Sequence, residues 1–328
     1  MIPVQKLLRT GVIAACMLGV AGPVHSQEFK HWIANSEGPS KVGAQVKIQR
    51  FTATAATSIR AAGFSFVRLG VWVNAMRSSE YQKRVASAFA TAQAAGLPVL
   101  LTVRSTVPLA QTSSDQAVHE AQLHDAAEQL VRVVSKLVGT YGENMLGIEL
   151  WNEPDLPVYW PTGRVDTTFP IYMIAVCAGL KAIYASVPVI GFGFATAPAT
   201  GTQSDKLLQS IHSSSANCID AVSYHAYGMS AQQIQEASRY IRVQYGLPAL
   251  ITEWGVSSGS KDGVDGQAAK IRSFLMKRDL MKTPLISIYE WQDTANGKNL
   301  RERNFGLVDA SGAQKPALDA AVTALHSR

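Results

Sequence analysis

Apolar runs alternate with helical patterns eight times along this 328-residue chain, and no other feature constrains its fold as much. The spacing predicts strands over 42–49, 64–73, 98–104, 146–151, 188–194, 219–225, 248–252 and 285–289. Between and after them it predicts helices over 52–62, 79–95, 119–138, 171–185, 204–213, 231–245, 267–277 and 315–326. Gly63, Gly96 and Gly246 stand where three of these helices stop. Strands separated by whole helices cannot pair as hairpins, so the sheet must be parallel and covered by those helices. Eight such units in about 300 residues is the size of a single (β/α)8 TIM barrel, an α/β fold. The alternative is a doubly wound open sheet. A hydrophobic fraction of 47% and a charged fraction of 16% supply a large core and exclude disorder. The chain shows no linker, low-complexity tract or second domain.

The first 26 residues read as an export signal: Lys6 and Arg9 form a charged region, 11–21 an apolar core, and Val24-His25-Ser26 a small-x-small cleavage site. The mature domain is then expected over 27–328, periplasmic or secreted. Ile13-Ala14-Ala15-Cys16 also has the form of a lipobox, but the apolar stretch continues past Cys16, so lipid anchoring is the less favoured alternative. The apolar core is too short to span a membrane, and no other run is long enough, so the mature chain is expected not to insert. Cys177 and Cys218 remain after cleavage, and an oxidising compartment would allow them to pair or leave them as separate buried thiols. The formal charge of +6 includes Lys6 and Arg9. What remains is read as a solvated basic surface in preference to a signature for an anionic polysaccharide. It gives no support for nucleic-acid binding, and the oligomeric state is not legible.

In a barrel, chemistry gathers at the C-terminal ends of strands. The residues there are Arg68 and Trp72, Arg104, Asn152 and Glu153, His225 and Tyr227, Glu253, and Trp291. Glu153 and Glu253 each close an apolar run just before it breaks at Pro154 or Gly255. Two carboxylates on two strand ends meet the needs of a retaining glycosidase: one protonates the leaving oxygen and the other attacks the sugar carbon. The attacking carboxylate must be ionised, which calls for donors, and Arg68 and Tyr227 are placed to supply them. Trp72, Tyr159 and Trp160 offer sugar-stacking surfaces, favouring endo cleavage of an extended glycan.

Trp151-Asn152-Glu153-Pro154 on the fourth strand and Thr252-Glu253-Trp254-Gly255 on the seventh resemble glycoside hydrolase clan A. Tyr224-His225-Ala226-Tyr227 and Trp291 extend that resemblance over nearly the whole mature chain. In flavour it is similar to family 39 and its bacterial relatives encoded with exopolysaccharide genes, with family 5 less close. The resemblance implies that Glu153 is the acid/base and Glu253 the nucleophile. It also implies that Asn152 donates to the sugar 2-hydroxyl, that His225 lines the site, and that Trp291 floors the sugar at the cleavage point. The substrate would be a polysaccharide or oligosaccharide, and no cofactor or metal is implied.

Other motifs carry less. Glu149 lies earlier in its strand and Glu290 points opposite to Trp291, so both are read as structural. Gly255-Val256-Ser257-Ser258-Gly259 has the G-x-S-x-G form of a serine-hydrolase elbow, with Asp293 and His326 following in order. The elbow must lead straight into a helix, whereas Ser260-Lys261-Asp262-Gly263 is loop chemistry. Metal-binding and nucleotide-binding signatures are absent from the sequence. A non-catalytic carbohydrate-binding barrel remains the second reading, disfavoured because both glutamates and Asn152 are present.

Overall fold

The computed structural model describes residues 29–35, 37–111, 115–181 and 187–327. The leader, Cys16 and the expected start near Gln27 lie outside the described residues. Eight parallel strands form a closed barrel in sequence order. They are β1 Lys41–Val46, β2 Phe66–Trp72, β3 Val99–Arg104, β4 Met145–Leu150, β5 Val189–Phe194, β6 Ala221–His225, β7 Ala249–Trp254 and β8 Leu285–Ile288. β8 pairs back onto β1, so the open-sheet alternative falls.

The helices are α1 Ala53–Ala61, α2 Ser79–Ala94, α3 Gln116–Tyr141, α4 Val165–Lys181, α5 Gln203–His212, α6 Ala231–Tyr245, α7 Gly263–Met276, the short α8 Leu300–Arg303, and α9 Pro316–His326. Their starts follow from side-chain caps: Thr52, Ser78, Thr202 and Ser230 each accept a backbone N–H of the first turn. Gln233 completes a capping box with Ser230, and Gly246 ends α6 in the left-handed conformation. Three helices start well before the apolar pattern predicts, α7 among them at Gly263. α3 begins at Gln116, and α4 begins at Val165 and carries Pro170 within it. Pro170 is the sixth residue of α4, so it forfeits one backbone bond inside the helix, which runs on through it. The expected end of that helix, beyond Lys181, lies outside the described residues. α8 has no apolar periodicity and was not anticipated.

Strand faces alternate between the barrel interior and the helical layer, and one apolar cluster fills both. A second, smaller cluster of Phe29, Ile33, Phe66, Leu100, Leu146 and Leu285 closes the N-terminal end of the barrel. Cys177 of α4 and Cys218, just ahead of β6, form a disulfide. Among the described residues, no helix is long and apolar enough to cross a membrane.

Candidate active site

Arg68 is the third residue of β2, and its side chain enters the barrel fully buried. Its Nε and Nη2 donate to Oε2 of Glu149 at 2.9 and 2.5 Å. Its Nη1 donates to Oε1 of Glu253 at 2.5 Å and to Gln45. Its Nη2 also donates to Oδ1 of Asn152 at 2.9 Å. One guanidinium therefore ties β1, β2, β4 and β7 together. Burial alone would lower its pKa, but Glu149 and Glu253 outweigh that and hold it above the ordinary value. Because a guanidinium only donates, Asn152 must turn its oxygen toward Arg68 and leave its NH2 group facing away from it.

Burial opposes ionisation of Glu253, yet His225 and then Arg68 overcome it and set the carboxyl below its usual range. The Tyr227 hydroxyl donates to Oε2 of Glu253 at 2.9 Å. Burial, then the nearby Glu253 charge, pushes the Tyr227 pKa well up, so the phenol keeps its proton and remains a donor. His225 is the register partner of Glu253 across β6 and β7. Its Nδ1 lies 2.8 Å from Oε1 of Glu153 and 3.5 Å from Oε2 of Glu253. Ligand-type atoms of Glu153, His225 and Glu253 all fall within 4.8 Å of one another. Three such donors could face a cation, but the Arg68 guanidinium already neutralises Glu253 and opposes one there.

The turn after β4 that presents Glu153 is strained. Trp151 and Glu153 have φ of 85° and 54°, a region non-glycine residues avoid at a cost of about 1–3 kcal/mol each. The neighbours hold it in place. Trp151 N–H donates to Val103 O and Glu153 N–H to Gly193 O, both at 2.8 Å, and the Trp151 indole donates to Tyr159 O at 2.9 Å. Gly193 can come this close only without a side chain: its φ is +60°, and a Cβ would stand 3.1 Å from Glu149 Oε1.

These groups open onto a cleft of about 870 Å³ at the C-terminal mouth. Trp72 lines it, exposed and stacked on Tyr81. So do Arg104, Tyr159 and Tyr289. The structure thus brings together Glu153, Glu253, Asn152, Arg68, His225, Tyr227 and Trp72. It does not bring in Trp291 or Trp160. β8 ends at Ile288, and the bend that follows ties Trp291 N–H to Gln45 O. The Trp291 ring is buried edge-on against Phe64, and Tyr289 takes the place at the cleft expected for it. Trp160 is buried among Trp151, Phe169 and Tyr172, with its indole donating to Thr168. From the segment that follows β4, Leu156 and Tyr159 wall the cleft instead.

Glu149 does not line the cleft, but it is more than scaffolding, because it shares Arg68 with Glu253. The signal was available: a carboxylate inside a barrel strand needs a buried cation, and Arg68 has the matching inward position. Glu290 lies outside the cleft, paired with Lys47 at 3.0 Å. The Ser257 hydroxyl donates to Arg301 O at 2.7 Å, Asp293 pairs with Lys315, and His326 bonds its own helix at Val322 O. No serine triad forms from these three residues.

A closed (β/α)8 barrel with paired glutamates at the ends of β4 and β7 is the architecture of clan A glycoside hydrolases. The family model described as Cellulase (glycosyl hydrolase family 5) matches residues 27–296, and the chain belongs to that family. No curated protein matches the sequence. Similar solved structures include a family 39 glycoside hydrolase from Bacteroides cellulosilyticus WH2, at 18% identity and TM-score 0.63 over 88% of this chain and 64% of that one. Another is the exo-beta-1,4-mannosidase Op5Man5 from Opitutaceae bacterium strain TAV5, at 16% identity and TM-score 0.66 over 88% and 59%. A third is a family 10 endo-beta-1,4-xylanase from Gloeophyllum trabeum, at 16% identity and TM-score 0.62 over 89% and 98%. The chain spans about three fifths of the length of the first two. At these identities the likeness shows the fold. The family model is that of family 5, which the motifs place second to family 39, and both families lie within the clan.

Proposed function

We propose that this protein is a retaining glycosidase in which Glu253 is the nucleophile and Glu153 the acid/base. The observation that carries this is the asymmetric treatment of two neighbouring carboxylates. Glu253 is ionised and held by Arg68 and Tyr227, while Glu153 stands at the strained turn with an oxygen in reach of the cleft. Glu253 attacks the anomeric carbon as the bond to the leaving oxygen breaks and Glu153 gives that oxygen its proton. Glu153 then takes a proton from water, the water oxygen bonds to the anomeric carbon, and the Glu253 carboxylate leaves. The Asn152 amide, fixed by Arg68, donates to the 2-hydroxyl. One oxygen of Glu153 and one of Glu253 lie within 4.8 Å of each other, which favours direct attack over the wider spacing that inversion needs.

The open cleft with Trp72 on its wall supports endo cleavage of a polysaccharide, an exopolysaccharide among the candidates. The Cys177–Cys218 bond supports residence in an oxidising, exported location. The testing experiment is NMR of the first-formed anomer from a cleaved glycan. Retention is expected, and inversion would remove Glu253 as nucleophile.

A further inference from the structure

Four cationic side chains line the cleft: Lys47, Arg68, Arg104 and Arg301. Three are neutralised by protein carboxylates. Lys47 pairs with Glu290 at 3.0 Å, Arg68 with Glu149 and Glu253 at 2.5 Å each, and Arg301 with Glu302 at 2.8 Å. Arg104 is different. Among the described residues it has no ion pair and no side-chain hydrogen bond, and its guanidinium lies 5.6 Å over the ring of Tyr159. It is half-buried at the last position of β3, opposite Trp72 in the β2–β3 register. Burial lowers its pKa, while Tyr159, Glu153 and Glu253 pull it back up, which puts Arg104 within electrostatic range of both glutamates.

We propose that Arg104 is a specificity residue that receives the carboxylate of a uronic acid at or beside the scissile linkage. A glycan filling the cleft strips the remaining water from this guanidinium. A neutral hydroxyl would accept one hydrogen bond and leave the charge uncompensated. A carboxylate matches the planar fork with two and restores the pairing the other three cations already have. The neighbouring Trp72 face takes the sugar ring, so recognition divides between an apolar wall and one cation. Mild net charge gives no hint of this, because what matters is one unpaired cation and not the total.

This inference rests on the glycosidase reading of the same cleft, and the test separates the two. Oligosaccharides of glucuronate, mannuronate and galacturonate, each beside its carboxyl-reduced counterpart, are titrated calorimetrically against the wild type, R104Q and R104K at pH 7. At least one uronate is expected to bind about ten-fold or more tightly than its reduced form. R104Q should bring that ratio close to one, and R104K should keep part of it. If R104Q fails to fold, R104K, which retains the charge and loses the fork, decides by whether the ratio falls. The proposal is overturned if no uronate is preferred, or if the preference survives loss of the guanidinium. Hydrolysis is scored separately. Cleavage of neutral glycans alone keeps the glycosidase reading and sinks the role of Arg104. Binding of uronates through Arg104 without turnover of any glycan does the reverse.

Discussion

His225 Nδ1 lies 2.8 Å from Oε1 of Glu153, joining the ends of β6 and β4 across the mouth of the barrel. With Glu253 also 3.5 Å away, this imidazole is the spacer that sets how the two carboxylates face each other. Replacing His225 with Asn is expected to lower kcat by about 100-fold while changing KM little, since proton transfer and positioning are lost before binding is. Steady-state kinetics on any cleaved glycan reads this split. An equal loss in KM alone would assign His225 to substrate binding.

The two glutamates should fail differently. Glu253→Gln removes the proposed nucleophile and is expected to abolish turnover on every substrate. Glu153→Ala removes only proton transfer, so it should cost about 10²–10⁴-fold with ordinary leaving groups. It should cost far less with nitrophenyl glycosides, and added azide should restore rate and yield a glycosyl azide. Product analysis with and without azide checks this.

Glu149→Ala breaks a fully buried pair and leaves Arg68 under-compensated. A loss of about 3–5 kcal/mol of stability is expected. Freed Arg68 should also bind Glu253 more tightly and weaken it as a nucleophile. Urea unfolding gives the first quantity and kcat the second. A stability change near zero would mean that Glu149 is not the partner that anchors Arg68.

Stability should peak in mildly acidic solution. Glu149 and Glu253 have pKa values below the ordinary 4.5, because His225 and Arg68 overcome burial at Glu253, and Arg68 overcomes it at Glu149. Their contribution is full above that value and is lost as pH falls through the depressed pKa. His225 runs the other way. Burial would lower its pKa, but Glu253 and Glu153 raise it above 6.5, so its contribution is full below 6.5 and is lost as pH rises through the raised value. Melting temperature against pH should therefore be highest between about 4.5 and 6.5. His225→Asn should flatten the alkaline side and, because His225 also depresses the Glu253 and Glu149 carboxyls, soften the acid side as well.

The Cys177–Cys218 bond closes a loop of 41 residues. Chain entropy assigns such a crosslink about 4 kcal/mol. The double Ser variant, or reduction, should shift the urea midpoint accordingly. It should leave kcat unchanged, because neither sulfur approaches the cleft.

The barrel was legible because each strand is a dense apolar run and each helix an amphipathic one, so period alone separated them. Glu153 and Glu253 were legible because strand ends carry chemistry in such folds. Trp291 was misplaced because its role came from the resemblance to clan A alone, whereas the chain bends after Ile288 and sets Tyr289 at the cleft. Trp160 was misplaced because an aromatic loop residue has no periodicity to say which way it faces. Glu149 shows a different limit: its parity with the barrel interior was visible, but its sharing of Arg68 with Glu253 depends on four strands meeting.

The cluster of Phe29, Ile33, Phe66 and Leu146 seals the far end of the barrel, and packed side chains fill the space above it. The vessel has one doorway. Among the described residues no passage leads through that seal, so in the proposed mechanism the fragment released in the first half of the reaction would leave by the mouth through which it entered. In the same mechanism the hydrolytic water would arrive by that vacated path, on the Glu153 side, while the sugar stays attached to Glu253. Turnover is then an exchange at a single threshold, and any group that lingers there, product included, stalls the second half of the cycle.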